Sequence, residues 1–90
     1  MKYTDLNRAI LLLKNKKEVD EFLSDLCTPS ELKAINERWS VAQTLFTNDL
    51  SYREIANKHK TSTTTVTRVA RFLSSEPNEG YKRILKRINK

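Results

Sequence analysis

The sequence predicts an all-α fold, and three observations carry that prediction. A chain of 90 residues with one glycine, Gly80, and two prolines, Pro29 and Pro77, has little material for the turns that hairpins need. Leu, Lys, Glu and Ala are abundant and β-branched runs are few, as helices prefer. Apolar residues recur three and four positions apart, and capping signals precede several of these stretches. The length suits one domain, residues 1–90, and one so small gains from burial against a partner.

The first helix is predicted over residues 3–15, with Tyr3, Leu6, Ile10 and Leu13 on one stripe. Leu11 and Leu12 widen the stripe beyond what one neighbouring helix covers, which points to a second subunit. Asn15-Lys16-Lys17 links to a second helix, about 17–26, whose buried face is Val19, Phe22, Leu23 and Leu26. Glu18, Asp20 and Glu21 stand at its start, where the helix dipole favours acids. In Thr28-Pro29-Ser30-Glu31, Thr28 caps, Pro29 takes the first helical position and Glu31 closes a capping box. The helix it opens, about 29–47, carries Leu32, Ile35, Trp39, Ala42 and Leu45 inward, with Val41 and Phe46 beside them. Trp39 is its expected packing hub. Glu76-Pro77-Asn78 breaks the chain before a last helix, about 79–88, with Tyr81, Ile84, Leu85 and Ile88 on one side. Lys82, Arg83, Lys86 and Arg87 lie opposite, as a solvated face on the simplest reading.

Between the third helix and the last lies the organising stretch, about 51–74, which reads as a helix-turn-helix. Ser51 and Glu54 form a capping box, Ile55 and Ala56 face inward, and His59-Lys60-Thr61 interrupts the pattern. Ser62 caps a second helix with Val66, Val69, Ala70 and Leu73 at i, i+3, i+4 and i+7. A small residue at 56 and a β-branched one at 66 suit two closely crossing helices. The turn wants a left-handed residue, and without glycine that role falls to Lys60 or a neighbour. Thr63, Thr64, Thr67, Arg68 and Arg71 remain on or beside the outward face.

Charge is unevenly placed. Residues 1–50 carry seven basic and eight acidic groups, residues 51–90 ten basic and three acidic, within a net charge of +6. Such segregation suits a protein that approaches phosphates. Threonine supplies a hydroxyl for base edges or phosphate and a methyl for thymine, and the helix start offers N–H groups to phosphate. Arg53 is placed for backbone contact. No catalytic constellation, Gly-rich phosphate loop or metal-ligand spacing accompanies these residues, so no catalytic or metal residue is assigned and no enzyme is predicted. Cys27 is the single cysteine and is expected to be a small buried apolar residue. The start of the chain lacks a signal-peptide pattern, and Ile10-Leu11-Leu12-Leu13 is too short to span a bilayer; a cytoplasmic protein with no membrane partner is expected.

From Thr28 to Pro77 these residues resemble the Trp repressor superfamily, most closely its YerC/YecD branch. The segments TPSELKAINERW and LSYREIANKHKTSTTTVTRVARFLSSEP and their separation carry the likeness. The resemblance implies a six-helix fold and an intertwined homodimer whose two helix-turn-helix units read a palindromic operator in double-stranded DNA. It places Tyr52, Arg53 and Ala56 of the first reading helix, and Ser62, Thr63, Thr64, Thr65 and Thr67 of the second, at DNA-contact positions. It also implies a tryptophan pocket framed by Arg38 and Arg68. There the chain departs, with Val69 in place of glycine and Phe72 in place of serine. Added bulk at both positions argues for no cofactor, and Phe72 stacked on an arginine would stand in for the corepressor. The reading is thus a bacterial, dimeric, sequence-specific transcription regulator, a repressor independent of L-tryptophan. A tryptophan-dependent repressor is the alternative within the class, and an RNA-binding or protein-interaction module the alternative outside it.

Overall fold

The computed structural model describes residues 2–75 and 77–89, with six α-helices and no strand among them: α1 Leu6–Leu11, α2 Lys16–Leu26, α3 Pro29–Thr47, α4 Tyr52–His59, α5 Thr63–Ser74 and α6 Gly80–Ile88. Glu76, part of the expected break, lies outside the described residues. Internal contacts divide the chain into two compact units, Met1–Lys33 and Ala34–Lys90, with the boundary inside α3.

In the first unit the helix starts are set by side-chain caps. Asp5 accepts from Arg8 N at 2.8 Å, so α1 begins at Leu6 and not at residue 3, and Tyr3 precedes it at 90% exposure. Asn15 Oδ1 accepts from Glu18 N at 2.9 Å while Glu18 Oε1 accepts from Lys14 N at 2.8 Å. This paired cap starts α2 at Lys16, and α1, opened by the Asp5 cap and ending at Leu11, is shorter than the expected 3–15 at both ends. Thr28 and Glu31 form the expected reciprocal cap of α3, Thr28 N donating to Glu31 Oε1 at 2.8 Å and Glu31 N to Thr28 Oγ1 at 3.2 Å. Hydrogen bonds from the Thr28 N–H and hydroxyl hold the Glu31 carboxyl below its ordinary range. No residue of α1 or α2 is fully buried. Val19, Phe22 and Leu23 are half-buried, Leu26 is exposed, and Leu11 and Leu12 are 83% and 71% exposed. Cys27 is half-buried and not fully so, because it ends α2, its N–H bonded to Leu23 O.

The second unit holds the core. Val41, Ala42, Ile55, Ala56, Val66, Val69 and Leu85 converge there, with Trp39, Leu45, Leu50, Leu73 and Tyr81 packed against them. Full burial of a Val, Ile or Leu side chain is worth about 1.5–3 kcal/mol, so these few contacts dominate the unit's stability. Trp39 is half-buried and stacks on Tyr81 at 6.3 Å between ring centroids. The inner face of α3 differs from the expected stripe: Val41 and Ala42 are fully enclosed, whereas Ile35 is 42% exposed and Phe46 is exposed. The core gathers on the second half of α3, so burial follows the position of the helix-turn-helix and not the full length of the periodic pattern. On α6 only Leu85 of the expected stripe is fully buried, and Ile84 and Ile88 are exposed.

Between α4 and α5 the chain turns at Lys60, left-handed at φ 53 and ψ 46. Lys60 N reaches Asn57 O at 3.3 Å and Thr61 N reaches Ala56 O at 2.9 Å, the double closure of a Schellman motif. Ser51 and Glu54 cap the start of α4 reciprocally and Ser62 caps α5 through Thr65 N at 3.1 Å. A lysine in left-handed geometry costs about 1–2 kcal/mol that glycine avoids. Lys60→Gly is therefore expected to raise the midpoint of urea unfolding, by an amount equivalent to about 1 kcal/mol. A lowered midpoint would show that the lysine side chain contributes more than its backbone costs.

Candidate nucleic-acid interface

The helix-turn-helix is built outward from the core. Val66 and Val69 anchor one side of α5, and Ile55 and Ala56 anchor α4 against it. With these sides enclosed, Thr63, Thr64, Thr67, Arg68 and Arg71 are all exposed and line one shallow groove along α5. No acidic residue occurs on α5.

The predicted contact residues separate into three groups. Thr63, Thr64, Thr67 and Arg68 come together in the groove. Thr67 Oγ1 is occupied by Thr63 O at 2.9 Å, whereas Thr64 presents an exposed side chain. Ser62 and Thr65 are paired at the helix start: Ser62 Oγ accepts from Thr65 N and lies 3.1 Å from Thr65 Oγ1, and Thr65 is half-buried. Tyr52 and Arg53 are exposed on the first turn of α4, while Ala56 is 5% exposed in the core. Hydrogen bonds from the Ser51 N–H and hydroxyl hold the Glu54 carboxyl below its ordinary range, so the cap of α4 keeps its negative charge.

Behind the groove lies a pocket of about 310 Å³ that opens to solvent, lined by Arg38, Arg68, Val69, Phe72, Asn78, Gly80 and Tyr81. It contains all four residues expected to frame an effector site and adds Asn78, Gly80 and Tyr81, to which the sequence assigns no pocket role. Their signal was weak: Asn78 stands in the break before α6, Gly80 and Tyr81 open that helix, and the chain's path alone carries them to the pocket. The Arg68 guanidinium lies over the Phe72 ring at 4.8 Å and that of Arg71 at 5.4 Å. Arg68 thus borders both the groove and the pocket.

One further pair supports the helix-turn-helix. Thr44 is buried, its Oγ1 donating to Ser40 O at 3.1 Å and lying 2.7 Å from His59 Nε2. A hydroxyl has one proton, so with that proton on Ser40 the imidazole Nε2–H donates to Thr44. The bond ties the last turn of α4 to α3, just before Lys60. A polar Thr44 beside the apolar Val41, Ala42 and Leu45 was the available signal, since a buried hydroxyl requires a partner.

Residues 2–89 match the sequence profile of the Trp repressor protein family. The chain belongs to the Trp repressor family. It is 35% identical over 83 residues to YerC of Bacillus subtilis (strain 168), described as an uncharacterized protein, covering 92% of this chain and 78% of that one. Two solved structures share the fold. A TrpR-like protein from Eubacterium eligens ATCC 27750 is 38% identical, with a TM-score of 0.85 over 93% of this chain and 84% of that one. A chain from Staphylococcus aureus is 37% identical, with a TM-score of 0.84 over 93% and 82%. Membership in the Trp repressor family accounts for the helix order and places the chain among regulators and not enzymes. Among the described residues no helix is long and apolar enough to cross a membrane.

Proposed function

We propose that this Trp repressor family member is a sequence-specific DNA-binding transcription regulator, a repressor that occupies a palindromic operator as a cytoplasmic homodimer and needs no tryptophan. The observation that carries the reading is the exposed, acid-free face of α5, where Thr63, Thr64, Thr67, Arg68 and Arg71 line one groove. Thr64 is the base-reading residue, and Arg53 with the α5 N-terminus takes phosphate. Thr64→Ala is expected to weaken operator binding by about 1–3 kcal/mol and to blur base preference. Arg53→Ala is expected to weaken all duplexes alike and to lower the salt slope by about 1. Unchanged base preference in Thr64→Ala would remove α5 as the reader.

The homodimer rests on the first unit. Leu6, Ile10, Leu11, Leu12 and Leu26 are all exposed, a larger apolar surface than a short monomeric segment ordinarily leaves in water. A second copy of the chain is the occupant. Sedimentation equilibrium at micromolar concentration is expected to return twice the 10.5 kDa chain mass. A stable folded monomer would overturn the interlocked arrangement.

Independence from tryptophan rests on Phe72 beneath Arg68, which gives the guanidinium an internal aromatic face. Such a contact is worth on the order of 0.5–2 kcal/mol. The second reading, a tryptophan-dependent repressor, is favoured by the remaining pocket, whose volume lies at the lower end of small-molecule sites. Titration calorimetry with L-tryptophan, paired with operator binding in its presence and absence, separates the two. No heat and undiminished operator binding are expected. Micromolar uptake that tightens operator binding would replace the first reading with the second.

A further inference from the structure

Helix α6 carries its charges in an arrangement that works against its own stability. Lys82, Arg83, Lys86 and Arg87 occupy the side opposite Tyr81 and Leu85, so Lys82 faces Lys86 and Arg83 faces Arg87 across one helical turn. Both are like-charge pairs at i,i+4, which disfavour a helix. The first turn holds no acidic residue, and Lys82 and Arg83 stand in and just after it, where the positive end of the helix dipole disfavours cations. Lys86 and Arg87, in the last turn, are favoured there by the same dipole, so helix electrostatics explain half of the set and oppose the other half.

Compensation within the helix is slight. Arg83 Nη2 lies 3.9 Å from Glu79 Oε2, with both side chains about 60% exposed, a pair that water screens. Glu79 adopts left-handed geometry at φ 59 and makes no side-chain cap to the helix. Lys82, Arg83 and Lys86 border a shallow cleft with Glu79. A face that merely keeps the protein in solution would mix signs, as α2 does with Lys16 and Asp20 at 2.8 Å.

We infer that the cationic face of α6 is a second nucleic-acid surface, one that takes the sugar-phosphate backbone of the duplex flanking the operator. Charge complementarity selects the occupant. Cations repeating every turn along a helix suit a polyanion, and the same half of the chain carries the reading groove. Lysine and arginine on an exposed face contact phosphate without distinguishing bases, so α6 adds affinity and salt dependence while α5 keeps the selectivity. The inference rests on the DNA-binding reading above and extends its footprint.

The test replaces Lys82, Arg83, Lys86 and Arg87 by Gln in the full chain. The probe is the sequence that the unaltered chain selects from a pool of random duplexes, prepared with short and with long flanks. On the long duplex the variant is expected to lose roughly tenfold or more in affinity, and the slope of log K against log salt to shallow by about 2–4. On the short duplex it is expected to match the unaltered chain, with the same base preference on both. Helicity and melting temperature are expected to hold or rise, because like-charge pairs are removed. If the fourfold variant is unfolded, Lys82→Gln with Arg83→Gln replaces it and carries the same expectation at half the change in slope. Equal loss on both lengths, or no loss on either, overturns the inference and leaves the DNA-binding reading intact. Failure of the unaltered chain to select any duplex overturns both.

Discussion

The threonines and arginines of α5 can face outward only because the chain reverses between α4 and α5 within a few residues, and that reversal depends on Lys60. Its left-handed backbone directs two N–H groups, from Lys60 and Thr61, back onto the last carbonyls of α4. Thr61 and Ser62 then start α5 at an angle that brings Val66 and Val69 into the same core as Ile55 and Ala56. Without the turn, the two helices could not share that core. A lysine in this position costs stability, and the structure offsets the cost through the Schellman closure, the caps at Ser51 and Ser62, and the hydrogen bond from His59 to Thr44.

The core and the positive charge gather in the same part of the chain. The fully buried residues all lie in Ala34–Lys90, the half that also carries the excess of positive charge. A core built from a few Val, Ile, Leu and Ala side chains there supports two cationic faces, one on α5 and one on α6. The first unit is nearly balanced in charge, is held locally by caps and by the Lys16–Asp20 pair, and leaves its leucines exposed. Helix stability of that kind is local and modest. Apolar side chains in such a segment gain most from a surface that the chain itself does not provide.

Arg68 links the groove and the pocket. Its guanidinium over Phe72 lines both. Val69 and Phe72 form the apolar side of that pocket beside the arginine. Val69, almost fully enclosed, joins the pocket to the core.

Much of this was legible in the residues, because the signals are local. The reciprocal caps at Thr28–Glu31 and Ser51–Glu54, the start of α5 at Ser62, and the outward set on α5 follow from side chains reaching backbone groups three residues away. The need for a left-handed residue near Lys60 followed from two helical patterns separated by too few residues. The ends of α1 differ from the apolar stripe because periodicity runs past both of them: the Asp5 cap sets the start, and the helix ends at Leu11, ahead of the Asn15 cap that opens α2. The sequence by itself determined the six helices, the helix-turn-helix and the sign of its exposed faces. Only the tertiary structure decided which part of a long apolar stripe is enclosed, that Thr44 meets His59, and that Asn78 and Tyr81 border the Arg38–Arg68 pocket. Helix formation and capping act over three or four residues, whereas burial and pocket walls depend on segments that only the folded path brings together.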